Sequence, residues 1–207
     1  QITDTHLMPR GTTLHKLNPC ERLDACIDNI IEHHSDAEFC VITGDLTDRG
    51  DIKAYHDFRD IIQRLPMPCH PLMGNHDHRQ VFCEVFPNVP RDENGFVQHV
   101  LETPAGRFLM LDTVEHGANW GSYCDKRGKW LSNQLSSSGN VPLYLFMHHP
   151  PFEIGIPVLD NINLRKDSQR IHQILSNYTN IRHIFFGHVH RPVCGSWHGI
   201  PFSTMYG

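Results

Sequence analysis

Five short polar clusters, each placed directly after an apolar run, constrain the fold of this chain more than any other feature. The apolar runs have the length of strands, and glycine opens three of the clusters. Ligands of open α/β sheets lie beyond the carboxyl ends of the strands, so polar groups at several strand ends can meet at one point. We therefore expect the clusters to converge. They are Asp4-Thr5-His6, Gly44-Asp45-Leu46-Thr47-Asp48, Gly74-Asn75-His76-Asp77, His148-His149-Pro150-Pro151 and Gly187-His188-Val189-His190.

Strand-like and helix-like periodicities alternate along the chain. Asn18 followed by Pro19 predicts the start of a helix, because Asn caps helices and Pro fits the first turn. Early alternation of strands and helices, followed by strand-rich segments, predicts two sheets covered by helices in an α/β class of fold. Further helices are expected over 51–64, 126–136 and 166–178, a hairpin turn over 103–106, and strands over 1–3, 39–43, 69–73, 96–101, 107–111, 143–147, 181–186, 193–197 and 200–203.

Composition excludes several classes of protein. The length of 207 residues suits a single domain over 1–207, and we expect the natural chain to continue before Gln1 and after Gly207. No apolar run approaches the roughly 20 residues that cross a bilayer, so we expect no membrane span. The net charge of -5 and the lack of a Lys/Arg-rich run argue against duplex nucleic acid as a partner. Seven scattered cysteines without a CxxC pair predict reduced thiols and a cytoplasmic location.

Each polar cluster has a structural explanation when it is taken alone, as a turn or as a satisfied core histidine. Together they supply seven nitrogen and oxygen donors and no thiolate. If Asp45 is shared, each of two cations receives four donors. Spacing of i and i+2 in extended backbone would place both donors of a cluster on one side, and imidazole with carboxylate suits Mn, Fe or Zn. The donors are Asp4, His6, Asp45, Asn75, His148, His188 and His190.

The ordered set of clusters resembles the calcineurin-like metallophosphoesterases and spans nearly the whole chain. With Leu111-Asp112-Thr113 and the segment Phe146-Met147-His148-His149-Pro150-Pro151-Phe152, its loops look most like those of the bacterial class III cyclic nucleotide phosphodiesterases. The resemblance implies a four-layer α/β/β/α sandwich of two mixed β-sheets flanked by helices. It also implies two divalent metal ions, usually Fe and Mn and sometimes Zn or Co. The first would be held by Asp4, His6, Asp45 and His190, and the second by Asp45, Asn75, His148 and His188.

The resemblance further implies a metal-dependent phosphoric diester hydrolase. The expected substrate is a small phosphodiester, first of all 3',5'-cyclic AMP, cleaved by attack of a metal-bridging hydroxide. A glycerophosphodiester or a 2',3'-cyclic nucleotide is an alternative substrate. A phosphomonoesterase and a non-catalytic scaffold are further alternatives, and a homodimer stays open.

His76 fits neither set of metal ligands. The matching histidine of the family faces the substrate phosphate, so we expect His76 and Asn75 to contact the phosphate and His76 to donate a proton to the leaving oxygen. A role in packing against the loop is the alternative for His76. The expected catalytic groups are therefore His76 and Asp45.

Three further residues are expected to support the site from behind. Asp48 or Asp77 would orient His76, and His149 would form a hydrogen bond behind the metal ligands. Asp48-Arg49-Gly50 is similar to the protein phosphatase branch, in which the matching arginine binds phosphate, and the role of Arg49 is left open.

Overall fold

The computed structural model describes the backbone of residues 1–207 and every side chain except that of Arg165. Within the described residues, no helix has both the length and the apolar character needed to cross a membrane. The helices are α1 (Pro19–His33), α2 (Ile52–Ile62), α3 (Arg79–Val85), α4 (Asp125–Ser136), α5 (Pro157–Asp160) and α6 (Ser168–Leu175). The strands are β1 (Cys40–Thr43), β2 (Cys69–Leu72), β3 (His99–Thr103), β4 (Gly106–Met110), β5 (Leu143–Met147), β6 (Ile181–Phe186), β7 (Cys194–Trp197) and β8 (Ile200–Ser203).

Most of the predicted segments are confirmed. Helix α1 begins at Pro19, and the side chain of Asn18 caps it by accepting a hydrogen bond from the backbone of Glu21. The last predicted helix, 166–178, is shorter than expected and becomes α6. Helices α3 and α5 were not predicted. Helix α3 is capped by the ring of His78, which lacks the short oxygen side chain that signals a helix start in a sequence.

The strands form two sheets, as predicted. Strands β1 and β2 pair in parallel, and a parallel bridge between Ile2 and Ile42 extends this sheet to the first residues of the chain. The second sheet has the order β3-β4-β5-β6-β8-β7. Its inner pairs are parallel, and the two outer pairs are antiparallel. Both sheets therefore direct the carboxyl ends of their parallel strands toward polar clusters.

Alternation of side chains along the strands builds four layers. One core lies between the two sheets and takes Val41, Leu72, Met110 and Phe146. The neighbouring residues of β1 face a second core with α1 and α2, and those of β5 face a third core with α4 and α6. Because successive strand residues point to opposite faces, strands that are buried on both sides read as continuous apolar runs. The α/β/β/α sandwich predicted from the sequence is confirmed.

A buried ion pair fixes the segment that follows β4. The carboxylate of Asp112 is fully buried and accepts two hydrogen bonds of 2.9 Å from the guanidinium of Arg79. It also accepts hydrogen bonds from the backbone nitrogens of Val97 and Val114. Removing one partner would leave the Arg79 charge desolvated, which typically costs more than the intact pair contributes.

We expect Asp112→Ala to lower the free energy of unfolding by about 3 to 5 kcal/mol, because it leaves the partly buried guanidinium of Arg79 and two buried backbone donors without their acceptor. Urea denaturation measures this change. Asp125→Ala is the matched control, since the Asp125 side chain is 93% exposed and its ion pair with Arg170 should contribute less than about 1 kcal/mol. Equal losses in both variants would contradict the role of burial.

Candidate metal centre

Hydrogen bonds between loop backbones bring the five polar clusters together. The backbone nitrogens of Asp4 and His6 donate to the carbonyl oxygens of Gly44 and Asp45, at 3.1 and 2.9 Å. The backbone nitrogen of His188 donates to both carboxylate oxygens of Asp4, at 3.0 and 3.1 Å. These contacts join the first and last clusters of the chain to the loop after β1.

The donors of the first and last clusters do not have the extended backbone that their i and i+2 spacing predicts. All four of them lie in the left-handed region, so this part of the prediction was wrong, and Asp45 lies there too. Left-handed backbone is costly for residues with a side chain, although Asp and His adopt it more readily than most, and it collects at functional sites. A left-handed turn aims the side chain away from the strand direction and into the space between the loops. The φ values are 50° for Asp4, 42° for His6, 49° for Asp45, 68° for His188 and 54° for His190.

Two glycines at strand ends allow the loops to approach each other closely. A Cβ on Gly44 would lie 2.5 Å from the Nδ1 atom of His148, and the φ of Gly44 is +96°. A Cβ on Gly74 would lie 2.2 Å from a carboxylate oxygen of Asp45. Both contacts are too short for real atoms, so the site requires residues without a side chain at these positions.

The first group of donors consists of Asp4, His6, Asp45 and His190. Their ligand atoms all lie within 4.8 Å of one another. The Nε2 atoms of His6 and His190 are 3.1 Å apart, and the Nε2 atom of His190 lies 3.4 Å from the Oδ1 atom of Asp4. Ligands at about 2.1 Å from a common ion lie about 3.0 to 3.4 Å from one another, so these distances suit one cation.

The second group is built around His148. Its Nε2 atom lies 3.2 Å from the Oδ1 atom of Asn75 and 3.3 Å from the Oδ2 atom of Asp45. Its Nδ1–H donates to the carbonyl oxygen of Thr43 at 2.8 Å, because a carbonyl can only accept. This bond directs the other ring nitrogen toward the site. His188 lies beside His148, with 5.1 Å between the ring centroids.

One carboxylate oxygen connects the two groups. The Oδ2 atom of Asp45 lies 3.5 Å from the Nε2 atom of His6 and 3.3 Å from the Nε2 atom of His148. The Oδ1 atom of the same carboxylate accepts a hydrogen bond from the backbone nitrogen of His76. Asp45 is therefore held between an imidazole of the first group and an imidazole of the second.

The charges of the site favour cations. Burial by itself would raise the pKa of Asp45 and lower that of His148, but their mutual attraction and hydrogen bond reverse both shifts. The pKa of Asp45 is held below its usual value, and that of His148 rises to about 9. Burial, with a smaller contribution from Asp45, raises the pKa of the Asp4 carboxyl. The carboxylates of Asp4 and Asp45 have oxygens within 4.8 Å of each other and repel when both are charged. Cations between them would relieve that repulsion.

His6 and His188 have the protonation state that suits metal ligation. Burial, and then the charge of His148, lowers the pKa of His188 to about 3, so its ring is neutral, which is the form that binds metals. Burial also lowers the pKa of His6. Among the described side chains, the Nε2 atom of His188 is buried without a hydrogen-bond partner. The nitrogen and oxygen donors, their spacing and this unpartnered atom fit two divalent cations.

His76 and Asp48 lie on the open side of the first group. The Nδ1–H of His76 donates to the backbone carbonyl oxygen of Asp48 at 2.8 Å, and the Asp48 carboxylate lies 3.5 Å from the Nδ1 atom of His6. The His76 side chain is 40% exposed, whereas the histidines of the second group are buried. Arg49 is 73% exposed and donates to the Asp48 carboxylate. Of the two residues expected to orient His76, the geometry favours Asp48.

Asp77 ties the loops together instead of orienting His76. Its buried carboxylate accepts hydrogen bonds from the backbone nitrogens of Leu46, Thr47 and Gly74, and from the hydroxyl of Tyr55. Burial, and then the charge of Asp45, raises the pKa of Asp77 to about 6. Tyr55 lies within the helix predicted over 51–64, and no sequence signal marks the hydroxyl that reaches the loop.

His149 lies behind the second group. One of its ring nitrogens, Nδ1, lies 2.8 Å from the hydroxyl of Thr113, and its ring centroid is 4.8 Å from those of His148 and His188. The three histidines could also share an ion, because their ligand atoms lie within 4.8 Å of one another. The bond to Thr113 supports the predicted position of His149 behind the ligands. No role in the site was predicted for Thr113.

A cleft of about 630 Å³ opens beside the first group. Asp4, His6, Asp48, His76 and His190 form its polar end. Leu14, Leu17 and Leu23 line its apolar part. A phosphate with an organic substituent could therefore reach the first group from this side.

Comparison with known proteins places these observations in a family. The family model described as calcineurin-like phosphoesterase matches residues 1–192. A "probable cyclic nucleotide phosphodiesterase" of Rhodopseudomonas palustris is 38% identical over 209 residues, covering 100% of this chain and 76% of that protein. A "probable glycerophosphodiester phosphodiesterase" of Arcobacter nitrofigilis is 30% identical, covering 99% of this chain and 76% of that protein.

A solved structure has the same fold. A dimetal phosphatase from Danio rerio superposes with a TM-score of 0.78 over 100% of this chain and 86% of that chain. The sequence identity is 14%, so the likeness concerns the arrangement of sheets and helices.

We expect Asn75→Ala to weaken binding of one ion by at least about tenfold and to leave the other ion bound, because Asn75 contacts only the second group. Metal counting by mass spectrometry during titration with a chelator measures this difference. Asn94→Ala, in an exposed turn, is the control. Two ions of unchanged strength in Asn75→Ala would exclude Asn75 as a ligand.

Proposed function

The chain belongs to the calcineurin-like phosphoesterase family, and from that premise we propose that it is a metal-dependent phosphodiesterase acting on a cyclic nucleotide, first of all 3',5'-cyclic AMP. The observation that carries the proposal is the position of Asp45. Its Oδ2 atom lies between the His6 and His148 imidazoles, so two cations bound by these groups would be neighbours.

The donor set indicates which residues would hold each cation. Asp4, His6, Asp45 and His190 would hold one cation, and Asp45, Asn75, His148 and His188 the other. When bound, two neighbouring cations neutralise phosphate charge and lower the pKa of a water molecule. Imidazole with carboxylate suits Fe and Mn, and we propose these as the metals.

The position of His76 suits donation of a proton to the leaving oxygen. Its Nδ1–H is engaged by the carbonyl oxygen of Asp48, which leaves Nε2 to hold or donate a proton. Its ring meets that of His6 edge to face, with 4.6 Å between the centroids, so His76 lies next to the first group. A general acid at this position would protonate the departing oxygen of the diester.

A glycerophosphodiester is the second candidate substrate. The relative from Arcobacter nitrofigilis is named for that activity and matches almost the whole chain. Both substrates are diesters with one negative charge, so the metal centre would act on either, and the organic substituent would decide between them. We also propose a cytoplasmic location, which is supported by the seven free thiols.

A substrate panel on the protein reconstituted with Mn²⁺ tests the proposal. We expect kcat/KM to be highest for 3',5'-cyclic AMP, lower for 2',3'-cyclic AMP and for glycerophosphocholine, and lowest for AMP as a monoester. Chelation should abolish all of these activities, and Mn²⁺ should restore them. The highest value on glycerophosphocholine would replace the first candidate with the second. No turnover of any diester by protein with two bound ions would refute both.

We expect His76→Ala to lower kcat on 3',5'-cyclic AMP by about 10²- to 10⁴-fold, because an alkoxide leaves slowly without a proton. The loss on bis(p-nitrophenyl) phosphate should be much smaller, since nitrophenolate leaves unprotonated. Metal content should not change. His56→Ala, exposed on α2, is the control. Equal losses on both substrates would argue against proton donation.

A further inference from the structure

Two cysteines lie directly opposite each other in the smaller sheet. Cys40 opens β1 and Cys69 opens β2, and they are register partners in the parallel pair. The backbone nitrogen of Cys40 donates to the carbonyl oxygen of Pro68 at 2.8 Å, which fixes this end of the register. Both thiols belong to the core beneath α1 and α2, so they point to the same face of the sheet.

This geometry suits a covalent bond between the two sulfurs. Neighbouring strands lie about 4.7 to 4.9 Å apart. Cysteines joined by a disulfide have Cα atoms about 4.4 to 6.8 Å apart, so the bond requires no large movement of the backbone.

A cleft leads from the surface to this pair. It has a volume of about 600 Å³, and Cys69 forms part of its wall with Met67, Pro71 and Phe86. Only the partly buried Cys69 lines the cleft, whereas Cys40 is buried beneath it. A small oxidant in this cleft can therefore reach Cys69 without unfolding of the sheet.

We propose that Cys40 and Cys69 are a site of thiol oxidation, at which a hydroperoxide converts them into a reversible disulfide across β1 and β2. The thiolate of Cys69, which lines the cleft, attacks hydrogen peroxide, the O–O bond breaks, and Cys69 becomes a sulfenic acid. The hydroxide released takes the proton of Cys40 and becomes water. The Cys40 thiolate then attacks the sulfenic sulfur, the S–S bond forms, and the second hydroxide leaves as water with a solvent proton.

The position of the pair gives the bond a structural consequence. Strand β1 continues into Gly44 and Asp45, and β2 continues into Gly74 and Asn75. A disulfide would lock the register of the two strands that carry these loops. The proposal rests on the sheet alone and does not depend on the proposed activity.

Exposure of the metal-loaded protein to about 1 mM hydrogen peroxide at pH 8 tests the proposal. We expect the intact mass to fall by about 2 Da and to recover with dithiothreitol, as two thiols become one disulfide. Peptide mapping after alkylation should show Cys40 and Cys69 joined. These are mass measurements, so their outcome is independent of whether any diester is hydrolysed.

The matched variants are Cys69→Ser and Cys26→Ser. Cys26 on α1 packs against the same core as Cys40, and burial, then the charge of Cys40, raises the pKa of its thiol, so it is the alternative partner. Cys69→Ser should lose the 2 Da change, and Cys26→Ser should keep it. A peptide joining Cys26 to Cys40, an unaltered response of Cys69→Ser, or addition of oxygen atoms without a disulfide in the wild-type protein would overturn the proposal. Mapping of the wild-type protein decides the question even if a variant fails to fold.

Discussion

The carboxylate of Asp45 is the contact on which the arrangement of the site depends. Its Oδ2 atom lies within 3.5 Å of an imidazole from each of two groups, and these imidazoles come from the first cluster and from the strand end of β5. This carboxylate is buried, and burial of a carboxylate without positive charge nearby is costly. The attraction between Asp45 and His148 offsets part of that cost and explains why their pKa values shift in opposite directions.

Donors from both sheets surround the carboxylate of Asp45. The smaller sheet presents Asp4, Asp45 and Asn75, and the larger sheet presents His148 and His188. The apolar layer between the sheets, which includes Val41 and Phe146, sets the distance between these donors. The same sandwich occurs in a dimetal phosphatase at 14% identity, so apolar packing can be rebuilt with other residues while the layers stay in place.

Side chains outside the two groups of metal donors hold the loops in place. Asp77 collects backbone hydrogen bonds from the loops after β1 and β2, and Tyr55 adds its hydroxyl from α2. Thr113 bonds to His149 behind the second group. Such contacts fix ligand side chains before an ion arrives, and this lowers the entropy that binding must overcome. The exposed His76 is held by one backbone carbonyl, which leaves it more freedom to face a substrate.

The sequence by itself predicted two sheets covered by helices, most element bounds and the polar clusters that meet beyond the strand ends. These features follow from local chemistry, because apolar runs of strand length and the polar residues behind them are adjacent in the chain. Tertiary structure decided the directions in which the donor side chains point. The left-handed backbone of Asp4 and His188 replaces the extended conformation that their spacing suggests, because neighbouring loops hold each turn through hydrogen bonds. Helix α3 and the support from Tyr55 also depended on contacts between distant segments, and such contacts leave no periodic signal in a sequence.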